Sequence, residues 1–395
     1  MWLINLITLL FSILFQGLST IVSQYAVIEF YATPLEVGLV WSSFYVASIV
    51  IRPLAGLAFD QGYRFRLLII SAILFFISTI AYFFASSIAF LIIARLFQGL
   101  GQGIFLTSSF SLVVFEASEH MKYFQESISW RSTMLGLGVT IGPALGGYMI
   151  SFYGFHTTFL LVITLSALVP VMIWLVTKFT HVNERLFAFN MKFGSRSNPK
   201  KNMKTILSDF MKLLFKIESF RAAIISLFLY SLGYTTITSL LPAYYANEWG
   251  KEAGVVVGNV LAIIGLSSIL PRFFAGTIAK YLSAKNVARF GLLTLAISLA
   301  LLGVYPFPPL IYIFSIFVGM SLGFVIPSLQ IMALTDVSKS EKGVATGLYV
   351  IGFDASNLVS PILFGSLANI FGYKFILQIA FLPVLIATIY LLKKG

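Results

Sequence analysis

The chain has 395 residues, of which 59% are hydrophobic and only 10% carry a charged side chain. Soluble domains usually contain about 25% charged residues, so this composition excludes an ordinary soluble protein and indicates one embedded in a membrane. Lipid admits only helices or closed barrels, and the apolar stretches here run for roughly 20 residues without the alternation of barrel strands. The sequence therefore predicts an all-α integral membrane protein.

Twelve apolar segments follow one another along the chain, and we number them spans 1 to 12. Each is long enough to cross a bilayer as a helix. Their predicted bounds are 3–31, 36–59, 66–85, 88–115, 126–151, 155–177, 218–246, 253–279, 285–304, 308–335, 341–369 and 373–392.

A polar linker separates the spans into two groups of six. Residues 178–221 contain ten Lys or Arg side chains and three Asp or Glu. The predicted organisation is an N-terminal six-helix bundle at 1–177, a basic linker at 178–217 and a C-terminal six-helix bundle at 218–395.

Lysine and arginine concentrate in the connectors on one side of the predicted membrane, which identifies the cytoplasmic side. The opposite connectors carry only Lys251 and Lys374. Both termini are therefore expected in the cytoplasm. Because the formal charge of +12 follows this pattern, it reports orientation and contact with the lipid surface rather than nucleic-acid binding.

Cysteine labelling can test this topology, because the chain contains no cysteine of its own. A cysteine that replaces Ser195 in the linker should react with a membrane-impermeant maleimide only from the cytoplasmic side. Labelling from outside in intact cells would contradict the whole predicted topology.

The two groups of six spans resemble each other in sequence. A shift of 220 residues aligns 37–56 with 257–276, with eight identical positions in twenty, and aligns Gly99 and Gly103 with Gly319 and Gly323. Near the end of each half the shift is 218, and it aligns Pro143, Gly147 and Gly154 with Pro361, Gly365 and Gly372. A duplicated six-span unit is one of the known transporter plans.

Three motifs make the chain resemble the major facilitator superfamily over its whole length. The loop after span 2 has the family's glycine, acid and basic residues at Gly56, Asp60 and Arg64. The span 4 motif is "RLFQGLGQG", with Arg95, Gln98, Gly99 and Gly103 in the family's positions. The span 5 motif is "GVTIGPALGG", which resembles the drug–proton antiporter branch and contributes Gly138, Gly142, Pro143, Gly146 and Gly147.

The resemblance implies two pseudo-symmetric six-helix bundles and a central solute cavity lined by spans 1, 4, 7 and 10. The polar and aromatic candidates for that cavity are Gln16, Thr20, Gln24, Gln98, Gln102, Tyr230, Tyr234, Thr238 and Gln330.

Asp60 is expected at the cytoplasmic end of span 2, where the resemblance places the N-terminus of span 11. A helix N-terminus stabilises an anion through its dipole and free N–H groups. Gly56, Asp60 and Arg64 are thus predicted to form a cytoplasmic gate. The alternative is a solvated acid beside a basic topology anchor.

Charged side chains inside the spans are the remaining candidates, because ionisable groups in lipid are costly and usually functional. Asp354 lies near the middle of span 11 and is the main candidate for proton coupling; the alternative is an acid held permanently in a helix interface. Arg95, which shares a helix face with Gln98 and Gln102, is a second candidate for proton coupling and predicts a polar transport path; the alternative is a structural arginine bound by carbonyls. Glu29 is a lesser coupling candidate near the outer end of span 1.

These features predict a secondary active transporter for a small organic solute, working by alternating access as a proton-coupled exporter in the plasma membrane. A proton-coupled uptake symporter and a non-transporting sensor are the alternatives. No phosphate-binding loop, metal-binding motif or catalytic serine or cysteine signature is present, so we expect no enzyme activity, no cofactor and no metal. The expected partners are the solute, protons and the bilayer, and the protein is expected to work as a monomer.

Overall fold

A computed structural model describes residues 2–60, 63–118, 124–179, 214–338 and 342–393, and it contains helices without any strand across these ranges. The α-helices are Trp2–Phe30, Pro34–Asp60, Arg64–Phe83, Ile88–Ser118, Phe124–Phe179, Glu218–Trp249, Ala253–Ser267, Ile269–Leu282, Ala284–Val304, Leu310–Thr335, Lys342–Phe371, Tyr373–Ile379 and Leu382–Lys393.

Within the residues that the structure describes, ten helical runs are long and apolar enough to cross a membrane, and two of them are long enough to cross it twice. The runs Thr133–Leu175 and Glu218–Ala275 have 43 and 58 residues, against the roughly 20 that one crossing needs. The first contains non-helical backbone at Gly154, and the second is interrupted by the short 3₁₀ helix Gly250–Glu252. The predicted twelve-span architecture is therefore confirmed.

Local sequence signals explain where the helices begin and reverse. Thr33 and Glu36 form a capping box, in which the Glu36 carboxylate accepts from the Thr33 backbone N–H at 2.8 Å and Thr33 Oγ1 accepts from the Glu36 N–H at 3.4 Å. Gly154 and Gly372 end spans 5 and 11 with φ of 76° and 81°, a region that favours glycine. These two glycines are equivalent in the repeat, so the repeat extends to backbone conformation.

Contacts divide the chain into two compact units. Unit 1 is Met1–Phe189, Thr238–Leu266 and Pro361–Tyr373, and unit 2 is Asn190–Ile237, Ser267–Ser360 and Lys374–Gly395. These units do not coincide with the two predicted bundles, because the ends of spans 7, 8 and 11 pack with the first half. The bundle boundary at the linker stays a prediction, and residues 180–213 of the linker lie outside the described part of the chain.

The repeat reappears in how glycines pack inside each unit. In unit 1, a Cβ at Gly103 would lie 3.2 Å from the carbonyl oxygen of Ser48 and 2.5 Å from Ile51. In unit 2, a Cβ at Gly323 would lie 2.6 Å from the carbonyl oxygen of Ser268 and 2.8 Å from Pro271. The corresponding residues of the two contacts are Gly103 and Gly323, Ser48 and Ser268, and Ile51 and Pro271, and each pair is separated by 220 positions. The shared sequence pattern thus encodes the same close contact of span 4 with span 2 and of span 10 with span 8.

Candidate functional site

Arg95 is buried at the centre of a polar and aromatic cluster in unit 1. Only 1% of its surface is exposed. Its Nη1 donates to Oε1 of Gln98 at 2.8 Å and to Oγ of Ser19 at 3.3 Å. Its guanidinium carbon lies 4.9 Å from the ring centre of Trp41 and 5.6 Å from that of Phe44. We call these five residues and Tyr82, which is described next, the Arg95 cluster.

Gln98 has a fixed orientation within this cluster. Its Oε1 accepts from Arg95 and also from the hydroxyl of Tyr82 at 2.7 Å. Because a guanidinium can only donate, the oxygen of the amide must face Arg95. The Gln98 amide nitrogen is buried and has no hydrogen-bond partner among the described residues, and the same holds for Arg95 Nε.

The charge of Arg95 is not balanced by a carboxylate within the described part of the chain. The two cation–π contacts contribute about 0.5–2 kcal/mol each, whereas removing an ion from water costs several kcal/mol. The neutral acceptors and the aromatic rings around Arg95 therefore offset only part of the free-energy cost of removing its charge from water. A buried cation that is held in this way marks a functional site more often than a structural one.

The span 4 glycines bring the neighbouring helices close to this cluster. A Cβ at Gly99 would lie 2.2 Å from the carbonyl oxygen of Phe44, and one at Gly101 would lie 2.9 Å from that of Ser71. Spans 2 and 3 therefore pack directly against the backbone of span 4. The glycines account for packing in the span 4 motif, and Arg95 and Gln98 account for its polarity.

The span 5 glycines form two contact surfaces. Three of them face span 1. A Cβ added at Gly138 would lie 2.1 Å from Ser12 Oγ, and one added at Gly142 would lie 2.6 Å from the Ile13 carbonyl oxygen. A Cβ added at Gly146 would lie 2.6 Å from the Gly17 carbonyl oxygen. Gly147 instead faces span 8, where its Cβ would lie 2.1 Å from the carbonyl oxygen of Gly254. This motif is explained by backbone packing.

Two pairs of close contacts in unit 1 are related by the repeat, and we call them the paired glycine contacts. A Cβ added at Gly147 would lie 2.1 Å from the Gly254 carbonyl oxygen, and one added at Gly258 would lie 2.8 Å from the Pro143 carbonyl oxygen. These two contacts join spans 5 and 8. A Cβ added at Gly365 would lie 2.5 Å from the Pro34 carbonyl oxygen, and one added at Gly38 would lie 2.1 Å from the Pro361 carbonyl oxygen. These two contacts join spans 11 and 2. The sequence repeat pointed to these positions but not to their pairing.

Glu29 lies near the paired glycine contacts, at the end of the spans that the charge pattern places outside. Its Oε1 is 3.8 Å from Nζ of Lys251, and both side chains are partly exposed. Lys251 also lies 5.8 Å from the ring centre of Phe155, and its carbonyl oxygen accepts from Ser151 Oγ at 2.8 Å. An exposed ion pair of this kind contributes about 0–1 kcal/mol. Glu29 thus has a structural partner here, and its role in coupling stays a prediction.

Asp354 is buried within unit 2, with 2% of its surface exposed. One turn further along span 11, Asn357 accepts from Thr235 Oγ1 and donates to Ser231 Oγ at 3.3 Å. Ser356 Oγ donates to the carbonyl oxygen of Phe228 at 2.7 Å. Span 11 therefore packs on span 7 through a polar layer around Asp354. Ser231 and Thr235 lie four positions apart and so share one face of span 7, a pattern that could have indicated this layer from the sequence.

The remaining cavity candidates are divided between the two units. In unit 1, Gln24 is buried and donates to the Thr20 carbonyl oxygen at 3.4 Å, while Thr20 Oγ1 donates to that of Gln16 at 2.9 Å. Gln102 has a buried Oε1 without a described partner, and Thr238 is partly exposed. In unit 2, Tyr230 is buried, Tyr234 is partly exposed and Gln330 lines an open depression with Pro327 and Leu334. Their assignment to one cavity stays a prediction.

The predicted cytoplasmic gate falls largely outside the described residues. The side chains of Asp60 and Arg64 and residues 339–341 before span 11 are not described. Gly56 has open space where a Cβ would stand. The gate therefore stays a prediction.

Comparison with known proteins identifies relatives along the whole chain. The Major Facilitator Superfamily pattern matches residues 4–280 and 223–394. An uncharacterized MFS-type transporter of Methanocaldococcus jannaschii is 24% identical over 87% of this chain and 86% of its own. The quinolone resistance protein NorA of Staphylococcus aureus is 22% identical over 86% of this chain and 82% of its own. The cis,cis-muconate transport protein of Acinetobacter baylyi is 25% identical over 73% and 68%.

Solved structures give the same fold. The crystal structure of a point mutant of the nucleoside transporter NupG superimposes with a TM-score of 0.79 at 14% identity and covers 99% of this chain and 98% of its own. Likeness at this identity supports the fold, while the sequence match over both halves supports the family. The twelve helical spans, the internal repeat and the three motifs agree with both comparisons, and the chain belongs to the Major Facilitator Superfamily.

Proposed function

We propose that the protein is a proton-coupled secondary active transporter that exports a small organic solute by alternating access. The observation that carries this proposal is Asp354, a carboxyl group that is 2% exposed in the middle of span 11. Such a group is accommodated away from water when it is protonated and becomes costly when it is ionised. A carboxyl group of this kind binds and releases a proton as its surroundings alternate between wet and dry.

The export direction is supported by the span 5 motif and by the similarity to a quinolone resistance protein. Uptake by proton symport is the second candidate, since the chain is also similar to a cis,cis-muconate transport protein. In either case the protein spans the plasma membrane with both termini in the cytoplasm and works as a monomer.

Proton flux in proteoliposomes tests the proposal. Purified protein is reconstituted with a pH-sensitive dye inside, and organic compounds of different charge are added on either side. A transported compound should change the internal pH in a direction that distinguishes antiport from symport. If no compound moves protons while radiolabelled solute still crosses, coupling to protons is wrong.

Substitution of Asp60 by alanine should slow transport while leaving expression close to that of the natural protein. The reason is the proposed contact with the N-terminus of span 11, whose loss should shift the balance of states by about 1–3 kcal/mol. Solute flux per reconstituted protein is the measurement. Glu252→Ala, which removes an exposed acid from the opposite end of the spans, is the matched control. Transport at the natural rate in Asp60→Ala would show that the acid serves no gate.

A further inference from the structure

We propose that the transported solute carries a carboxylate, and that Arg95 and Gln98 bind it. This inference rests on the proposed transport function and names the substrate class for the site that Arg95 forms. The observations that carry it are the unbalanced charge of Arg95, the chemical type of the unsatisfied atoms around it and the rings beside it.

The two unsatisfied atoms of the Arg95 cluster are both donors. Arg95 Nε and the Gln98 amide nitrogen are buried, and neither has a hydrogen-bond partner among the described residues. The Gln98 amide cannot turn over to remove its unsatisfied donor, because its oxygen already accepts from Arg95 and Tyr82. Two unsatisfied donors beside one cation call for an acceptor, and an anionic acceptor forms the strongest hydrogen bonds with a guanidinium.

A water molecule meets only part of this requirement. Water can accept hydrogen bonds from Nε and the amide, but it leaves the positive charge of Arg95 unbalanced in a water-poor site. A carboxylate supplies the acceptor atoms and the opposite charge together, and its two oxygens can accept two parallel N–H bonds from one edge of the guanidinium. The chemistry of the Arg95 cluster is therefore that of a carboxylate site.

The rings of Trp41 and Phe44 indicate that the rest of the ligand is organic. They lie 4.9 and 5.6 Å from the guanidinium carbon, so they bring apolar surface next to the charged group. An inorganic anion gains nothing from such surfaces, whereas the hydrocarbon part of an organic acid does. Because Arg95 is only 1% exposed in the state described here, the acid reaches it after a rearrangement of the kind that alternating access supplies.

Equilibrium binding to the purified protein tests this inference. The probes are three acids, benzoate, cinnamate and 1-naphthoate, each compared with its neutral primary amide by calorimetric titration. At least one acid should bind about tenfold or more tightly than its amide, since a charged hydrogen-bonded pair is worth a factor of this size. If none of the three acids is preferred, the assignment is overturned. Equal binding of chloride or inorganic phosphate would also overturn it in favour of an inorganic anion.

Two substitutions of Arg95 test whether this residue causes the preference for the acid over its amide. Arg95→Gln should lower the affinity for the preferred acid about tenfold or more and leave the affinity for the amide unchanged. Arg95→Lys keeps the positive charge but lacks the planar guanidinium, so it should retain a smaller preference for the acid over its amide. This variant replaces Arg95→Gln in the test if the glutamine variant does not fold. The matched control is Arg221→Gln, because Arg221 already has a carboxylate 3.9 Å away in Glu218. An unchanged preference in both Arg95 variants would exclude Arg95 as the binding group.

Flux measurements separate failure of this inference from failure of the proposed function. If neutral or cationic compounds drive proton movement and the acids do not, the protein is a transporter whose solute is not a carboxylate. If no compound of any charge is moved, transport itself is wrong, and the comparison of acids with amides still identifies the ligand of Arg95.

Discussion

Replacement of Asp354 by asparagine should abolish the movement of solute against its gradient while leaving exchange of solute down its gradient. Asparagine has nearly the size of the acid and resembles its neutral form, so span 11 should keep its packing on span 7. What it cannot do is bind and release a proton. The measurement compares pH-driven accumulation with exchange in the same proteoliposomes.

The polar layer around Asp354 is the reason to expect an intact fold in this variant. Asn357 and Ser356 already bond span 11 to span 7 at Ser231 and at the Phe228 carbonyl, and these hydrogen bonds do not depend on a charge at Asp354. Loss of coupling with normal exchange therefore has a local cause. Loss of both activities would point instead to a structural role for the acid.

Asp336→Asn is the matched control, because Asp336 is an exposed acid at the end of span 10. It should change neither activity, since an exposed carboxylate is hydrated in every state. If Asp354→Asn still concentrates solute on a pH gradient alone, then Asp354 is structural and the coupling group lies elsewhere.

The fold was predictable because the lipid phase restricts the backbone so strongly. Only helices satisfy their own polar groups in lipid without forming a closed sheet, so long apolar runs such as 88–115 predict spans directly. The repeat was also visible, since close helix contact demands small residues at equivalent positions such as Gly103 and Gly323. The bounds of the second half were less predictable, because Ser268 interrupts span 8 and residues 380–381 interrupt span 12 between described helices.

The candidate site was predictable in its charged members and not in its neutral ones. Arg95 and Gln98 stand out in an apolar span, so the cost of burying them draws attention. Tyr82, Trp41 and Phe44 are ordinary residues for a membrane helix, and their sequence carries no sign that they meet Arg95. Which partners surround a buried charge depends on helix rotation and packing distance, and a motif in one span does not fix those.

Replacement of Gly147 by alanine should shift the protein away from the state described here and reduce transport strongly. The new Cβ would lie 2.1 Å from the carbonyl oxygen of Gly254, and backbone atoms cannot move aside as a flexible side chain does. Overpacking of this kind costs about 1–3 kcal/mol, which corresponds to a change of about 5- to 150-fold in the balance of two states. A cysteine in place of Ala253, which is fully buried beside Gly254, should then react faster with an impermeant maleimide from outside.

Gly136 provides the matched control for this result within the same helix. A Cβ at Gly136 meets no atom within 4 Å, so Gly136→Ala keeps the contact between spans 5 and 8 and gains the roughly 1 kcal/mol by which alanine favours a helix over glycine. It should transport normally and leave the cysteine at 253 unreactive. The repeat adds a second test, because Gly365→Ala at the equivalent position would place a Cβ 2.5 Å from the carbonyl oxygen of Pro34. If Gly147→Ala and Gly365→Ala behave like Gly136→Ala, the paired glycine contacts only pack helices together and take no part in alternating access.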